Sequence, residues 1–418
     1  MTIIDIQSTG TRALFISALL LLAVVHWYIG TWGLGNMVST RAEDTRIADV
    51  AIDMAPGDPQ THFAAAVLYD RTFIAADQER SLHEYEQSVA LSPNNYILWL
   101  EYGKALERNG EEAKAEAALK RASALAPNYA AVHWALGNLL VRKGETDLGF
   151  GEIKKAVEGD PQFAASAAAF AYQFFDGDVE RTRQVSGSSG PATAALALLL
   201  AKQKRFDEAS TVWQTIGQPT DDSVKTSGSL LVSELISAKK FGLALNVINS
   251  LDNSIVFDRQ KIQNGGFEDA VKLDGASPFE WQISAGSQPQ VLQSTSQPHS
   301  GSRSVVLRFS SNDGNGLRTV SQTVVVRPNS KFAFGGFYRS DVKSDGKLVW
   351  QVLDATSNAV IAELPLATSN GWTAFSALFQ SPSDTDAVIF RLSVKSCGST
   401  ICPINGSIWL DDIEVKAT

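Results

Sequence analysis

Three features of this 418-residue chain predict a multidomain protein: an N-terminal transmembrane helix, then an all-α repeat solenoid, then an all-β sandwich. No charged side chain occurs between Ala13 and Gly35. Pro93, Pro127 and Pro161 stand 34 residues apart, with the same order of large and small apolar residues between them. After Asn253 the alanine-rich texture stops, and short alternating runs rich in Ser, Gly, Thr, Val and aromatics begin.

About 20 apolar residues suffice to cross the hydrocarbon core as a helix. Trp27, Tyr28 and Trp32 gather at one end of the uncharged run, as an interfacial aromatic belt does. A cleaved signal peptide is the competing reading. The run is longer than the usual apolar segment of about 7–15 residues, and no small-x-small cleavage site follows it. The expectation is therefore a cytoplasmic stub at 1–12 and an uncleaved signal anchor at 13–35. His26 lies near the interfacial end of the span, where a single histidine is tolerated. The basic flanks, Arg12 before and Arg41 and Arg46 mixed with Glu43 and Asp44 after, leave the orientation open. The two cysteines, Cys397 and Cys402, are close in sequence with no metal-binding histidines nearby. They read as a loop disulfide in an oxidising compartment, with two free thiols as the alternative. Together with the short stub, this places the expected protein in a bacterial inner membrane, crossing the bilayer once with its bulk in the periplasm.

Residues 43–250 carry the repeats. One unit reads Trp99, Tyr102-Gly103, Leu106, Gly110, Ala115, Leu119, Ala122 and Pro127; the next reads Leu136-Gly137, Leu140, Gly144, Ile153, Ala156 and Pro161. In the second, His133 stands where the first has Trp99, and Gly149 replaces an alanine. A fainter unit precedes both, with Pro56, His62, Ala65-Ala66, Tyr69 and Tyr85 in register if a short insertion lies near Ala75. Downstream, Ala209 and Ala244 stand 35 residues apart, followed by Trp213 and Ile248. Between Phe175 and Pro191 the phase is lost in Ser186-Gly-Ser-Ser-Gly190, a loop between two sub-blocks. The pattern resembles the tetratricopeptide repeat. Such units bury their apolar faces only by stacking, so the resemblance implies a solenoid with a groove for a protein partner. A helical spacer is the plainer alternative.

Residues 255–418 read as an antiparallel sandwich, with strands at 304–309, 331–334, 347–352, 388–392 and 407–410 bounded by Asn-Gly, Asp-Gly and Pro turns. Asn264-Gly-Gly-Phe-Glu268, Trp281, Ser300-Gly-Ser-Arg-Ser304, Gly336-Phe-Tyr-Arg-Ser340, Gly371-Trp372 and Ile408-Trp-Leu-Asp-Asp-Ile-Glu-Val415 resemble the carbohydrate-binding jelly rolls attached to glycan-active proteins. That resemblance implies a structural calcium ion shared by Glu268 with Asp411 or Asp412, its shell completed by backbone carbonyls around Ser300–Ser302. The plainer alternative is that these aspartates end a strand at the surface. It also implies a glycan surface, for which Trp281, Tyr338, Trp350 and Trp372 are candidates. Each of these aromatics is also a natural core residue. Tyr338, Arg339 and Asp341 form the polar-aromatic cluster singled out, with Trp350 as a further carbohydrate-binding candidate.

Little in the sequence points to catalysis. It has no phosphate-binding Gly-x-x-x-x-Gly-Lys-Ser/Thr, and Gly314-Asn-Gly316 lacks the third glycine of a dinucleotide site. No His-Glu-x-x-His or nucleophile elbow occurs. Acidic side chains outnumber basic ones 45 to 36, giving a net charge of −9, and no basic patch is interleaved with aromatics, which argues against nucleic acid. The expected function is non-enzymatic: an envelope scaffold that binds a protein through its repeats and a glycan through its sandwich, in surface polysaccharide assembly or export. The alternatives are a purely protein-binding scaffold and, further off, a glycan-cleaving enzyme, which would need two carboxylates facing across a cleft.

Overall fold

The computed structural model describes residues 9–72, 74–252, 254–312, 317–395 and 401–418. The chain divides into two compact units, Met1–Ala192 and Thr193–Thr418. The division falls just after the Gly/Ser-rich segment that breaks the repeat phase. In this division the last helices of the span 43–250 group with the sandwich.

The first unit holds α1 (Thr9–Ser39), α2 (Thr45–Met54), α3 (Pro59–Asp70), α4 (Ala75–Leu91), α5 (Tyr96–Arg108), α6 (Glu112–Leu125), α7 (Ala130–Arg142), α8 (Thr146–Gly159), α9 (Ala164–Phe174) and α10 (Val179–Ser186). α1 is long and apolar enough to cross a membrane, a test that a signal sequence near the N-terminus also passes. It runs past the expected end of the span at Gly35 and packs on α2 and α3. A Cβ at Gly35 would lie 2.7 Å from that of Ala55, and Asn36 Nδ2 donates to Asp58 Oδ2 at 2.7 Å.

Three of the repeat starts, at α3, α5 and the turn leading into α9, carry side-chain caps, whereas α4, α6, α7 and α8 have none. Asp58 accepts from Gln60 N, Asn95 from Ile97 N and Asp160 from Gln162 N, each satisfying a backbone donor that the first turn leaves unpaired. Their ends share one closure. The N–H of Glu111 bonds to Leu106 O, and that of Glu145 to Leu140 O, with Gly110 and Gly144 at φ +78° and +86° between them. This left-handed turn favours glycine. The same bonds recur downstream, Arg205 N to Leu200 O and Lys240 N to Leu235 O, where Lys204 and Lys239 hold the left-handed position at φ +63° and +62°. The downstream units thus keep the repeat's closure without its glycine. Gly149 replaces alanine for a packing reason: a Cβ there would meet Val141 N at 2.7 Å and Gly137 O at 2.8 Å, both backbone atoms. The insertion expected near Ala75 mostly lengthens α4, which has 17 residues against 14 in α6.

A second shared bond ties each of the first three repeats to the proline before it. Trp99 Nε1 donates to Pro93 O at 2.9 Å, and His62 Nε2 and His133 Nε2 do the same to Pro56 O and Pro127 O at 3.0 and 2.7 Å. The histidines substitute for the tryptophan because they retain its ring N–H. Each also turns Nδ1 to a glutamate at 2.6 Å, Glu84 for His62 and Glu152 for His133.

The second unit holds α11 (Gly190–Lys202, entered in its first turn), α12 (Phe206–Gln214), α13 (Asp222–Ser237), α14 (Phe241–Leu251) and eleven strands. These are β1 (Gln282–Ile283), β2 (Gln290–Ser294), β3 (Ser304–Ser311), β4 (Val320–Val325), β5 (Lys331–Ser340), β6 (Lys343–Ser344), β7 (Lys347–Asp354), β8 (Val360–Pro365), β9 (Thr373–Gln380), β10 (Ala387–Lys395) and β11 (Ile404–Ala417). They form two antiparallel sheets, ordered β1-β4-β10-β7-β8 and β2-β3-β11-β5-β9, with β6 paired to β11. Every strand expected from the sequence is present. The core between the sheets is aromatic: Phe332, Phe334, Trp350, Phe375, Phe379 and Phe390 are all buried. α14 joins this body through Asp386 Oδ2, which accepts from Gly242 N at 2.7 Å, and through Asn249, which bonds both backbone groups of Phe257.

Two outcomes are expected. Replacing Lys204 or Lys239 with glycine relieves a left-handed residue and should stabilise the fold by about 1 kcal/mol each, read in thermal melts; destabilisation would contradict this account of the turns. The Glu84 carboxylate raises His62 above its ordinary 6.5, with Arg80 also paired to Glu84. That contribution is full below about pH 6.5 and is lost as pH climbs through the raised value. Melting temperatures should thus fall from pH 6 to pH 9, and less so in His62→Gln; identical profiles would refute it.

Candidate functional site

The second sheet carries the candidate site on its outer face, and β11 at its centre determines the layout. Along a regular strand successive side chains point to opposite faces. Trp409 and Asp411 therefore share the outer face while Leu410 enters the core. Between Asp411 and Glu414, β11 holds one residue more than β5 opposite it, and Asp412 sits at φ +47°. This bulge turns Asp412 so that two consecutive carboxylates reach the same loop.

That loop is residues 297–303. Asp411 Oδ2 accepts from His299 N at 2.8 Å and Ser300 N at 3.2 Å. Asp412 takes His299 Nδ1 at 2.6 Å and Ser300 Oγ at 2.7 Å. Glu268, from the opening motif, takes Ser302 N at 2.9 Å, Ser302 Oγ at 2.6 Å and Arg303 N at 3.1 Å. The opening motif is itself held to the bulge, since Ile413 N donates to Gly265 O at 2.9 Å. Burial pushes the Asp411 carboxyl up despite its N–H partners, while the Ser302 hydroxyl and N–H hold that of Glu268 below the usual range.

The pinned loop lies over part of the outer face. His299 stacks on Phe337 with ring centroids 3.5 Å apart, and its edge meets Trp372 at 5.8 Å. Beside it a row of residues crosses the sheet, with Val306 buried, Trp409, Arg339 and Trp372 half-buried and Leu292 exposed. Leu292 pairs with Val306, Val306 with Trp409, and Trp409 with Arg339. Trp372, just before β9, closes the row. The Arg339 guanidinium stands 4.4 Å from the Trp409 ring and 5.8 Å from that of Trp372. Gln297 braces both neighbours, its Oε1 accepting from Arg339 Nη1 and its carbonyl from Trp372 Nε1, each at 3.0 Å.

Two of the carbohydrate-binding candidates are corrected by this geometry. Tyr338 points inward from β5, is 7% exposed and packs toward Phe375. Trp350 lies in the first sheet, is 1% exposed and packs against Phe334 and Phe375. Trp281 is likewise buried. Arg339 does lie on the outer face. Asp341 is exposed, and its carboxylate accepts from Ser407 N at 2.6 Å. Trp409, Phe337, His299 and Gln297 were not among the candidates. The alternation of β5 carries a signal for two of them: with Phe332 and Phe334 inside, Tyr338 is inside too, while Phe337 and Arg339 are outside and bring Trp409 with them. Cys402 is buried and disulfide-bonded, and Cys397 lies outside the described residues.

The three carboxylates expected to hold calcium do converge on Ser300–Ser302, but that loop turns N–H and O–H groups to them rather than carbonyl oxygens. Calcium needs six to eight oxygens. Among the described residues no group of three or more His, Cys, Asp or Glu side chains is placed to hold a metal. The arrangement present does not fit the ion, and the loop's own donors compensate the charge.

Among the cavities elsewhere, one in each unit is of note. In the first, about 580 Å³ is lined by Val67, Asp70, Arg71, Tyr85, Glu101 and Arg108 from α3, α4 and α5, with Arg108 paired to Asp70 at 2.6 Å. In the second, about 720 Å³ is bounded by α13, α14 and residues 272–282, with Ser229, Ser233 and Ser237 along one wall; it shares no residue with the aromatic row.

No protein-family model and no curated protein matches the sequence. Among solved structures, the sandwich is similar to a family-4 carbohydrate-binding module, at 13% identity over 38% of this chain and 99% of that one, with a TM-score of 0.30. A family-61 carbohydrate-binding module solved with β-1,4-galactotriose matches at 18% over 38% of this chain and all of its own, TM-score 0.28. The helical repeats are similar to PilF of Pseudomonas aeruginosa, at 19% over 45% of this chain and 89% of that one, TM-score 0.33.

The hydrogen-bonded loop leads to a direct expectation. Glu268→Gln should lower the melting temperature by about 2–5 °C, whereas millimolar calcium should shift the wild-type melt by less than about 1 °C. A calcium-dependent rise of several degrees would show an oxygen shell that this loop arrangement lacks.

Proposed function

We propose that this is a membrane-tethered, non-catalytic binding protein whose sandwich holds a glycan on the outer face of its second sheet while its repeats hold a protein partner. The observation that carries the reading is the row Trp409–Arg339–Trp372. Two aromatic rings flank a fixed guanidinium on an open sheet face, with a braced loop alongside. Aromatic faces take sugar C–H groups, and the neighbouring N–H donors suit hydroxyls. The cavity at α3–α5 supports the repeat groove as the protein site. The docking of α1 on α2 and α3 supports a retained anchor, because cleavage before Ser39 would strip away the packing of Gly35 and Asn36. On this reading the bulk of the chain works in the periplasm, in surface polysaccharide assembly or export. Tether and two binding sites would raise local concentration without new chemistry.

A second reading, a scaffold that binds protein alone, draws on the burial of Tyr338, Trp350 and Trp281. Glycan-array screening of the full chain in detergent separates the two. Saturable binding weakened at least about tenfold, or about 1.4 kcal/mol, by Trp409→Ala and by Trp372→Ala is expected. No binding by a protein shown to be folded would leave the protein-only scaffold.

A further inference from the structure

The charge at the centre of the row deepens the reading just given and rests on it. Arg339 is half-buried, yet among the described residues it has no carboxylate partner. Its neighbours are two indole rings and one amide oxygen, that of Gln297. A guanidinium has five N–H donors in a planar fork, and four remain beyond the bond to Gln297. The nearby acidic groups are already engaged: Asp341 by Ser407 N, Asp412 by His299 and Ser300, and Asp411 beneath the loop. Arg308, exposed on β3 two residues from Val306 and opposite Gln290, adds a second cation on the same face. Residues 255–418 carry 14 basic and 15 acidic side chains, so the acidity of the chain lies almost wholly outside the sandwich.

We propose that the face selects an anionic glycan, one whose sugar carries a carboxylate or sulfate that Arg339 grips while neighbouring rings lie on Trp409 and Trp372. The two indoles are about 10 Å apart across two strand spacings, with the guanidinium between them. A planar fork fixed by stacking binds a planar carboxylate through two parallel hydrogen bonds, a geometry lysine does not offer. A partly desolvated cation without a counter-charge is costly, and an anionic ligand relieves that cost. A net charge of −9 repels polyanions in general, so binding of one would report this local site rather than overall charge.

The test is titration calorimetry of the full chain in detergent micelles against matched pairs: polygalacturonate and its methyl ester, hyaluronan and its carboxyl-reduced form, dextran sulfate and dextran. At least one acidic member should bind about tenfold or more tighter than its neutral partner and weaken as salt is raised. The carboxylate and sulfate pairs identify which group is read. Arg339→Gln should abolish the preference, and Arg339→Lys should restore little of it. The wild-type comparison stands even if a variant fails to fold. Equal affinity within every pair, unchanged by salt, overturns selection of an anion while leaving the glycan reading intact. Binding of none of the six overturns selection of an anion, and the glycan reading also falls if a neutral-glycan array is equally blank.

Discussion

The site depends on one constraint, the fastening of loop 297–303 to the sheet by Glu268, Asp411 and Asp412. These carboxylates take seven hydrogen bonds from His299, Ser300, Ser302 and Arg303 of the loop. Without the bulge at Asp412, strand alternation would send one of the two aspartates to the other face. With it, the loop is held close enough to lay His299 on Phe337 and to aim Gln297 at both Arg339 and Trp372. The rings and the guanidinium are thus fixed before any ligand arrives, which lowers the ordering cost of binding.

A comparable economy runs through the helical part. In the first three repeats an indole or imidazole N–H ties the first helix to the preceding proline turn. The histidine version adds a glutamate partner, and at His62 the Glu84 carboxylate raises the imidazole and so makes that repeat sensitive to pH. The turn between paired helices needs one left-handed residue, supplied by glycine in the central repeats and by lysine in the later ones at some strain.

Much of the fold was legible because it follows from periodicity. The 34-residue spacing of prolines, the uncharged run and the alternating strands each encode an element locally. The site was less legible because it joins residues that strand pairing brings together from distant positions. Arg339 was visible as part of a polar-aromatic cluster, but its partners Trp409, Trp372 and Gln297 come from three other segments. Tyr338 and Trp350 looked equally suitable as a list of aromatics, and only the facing of β5 and β7 separates core from surface. The convergence of Glu268, Asp411 and Asp412 on Ser300–Ser302 was foreseeable from the motif resemblance. Whether the loop would offer carbonyls or N–H groups was not, since that is set by backbone orientation, which residue identity does not encode.

Hydroxyl-radical footprinting of the full chain, with and without a saturating glycan ligand, tests the central claim most directly. The account predicts protection of Trp409, Trp372 and His299, with the wall formed by Ser229, Ser233 and Ser237 unchanged. Protection confined to that cavity, or to the helical repeats, would contradict it.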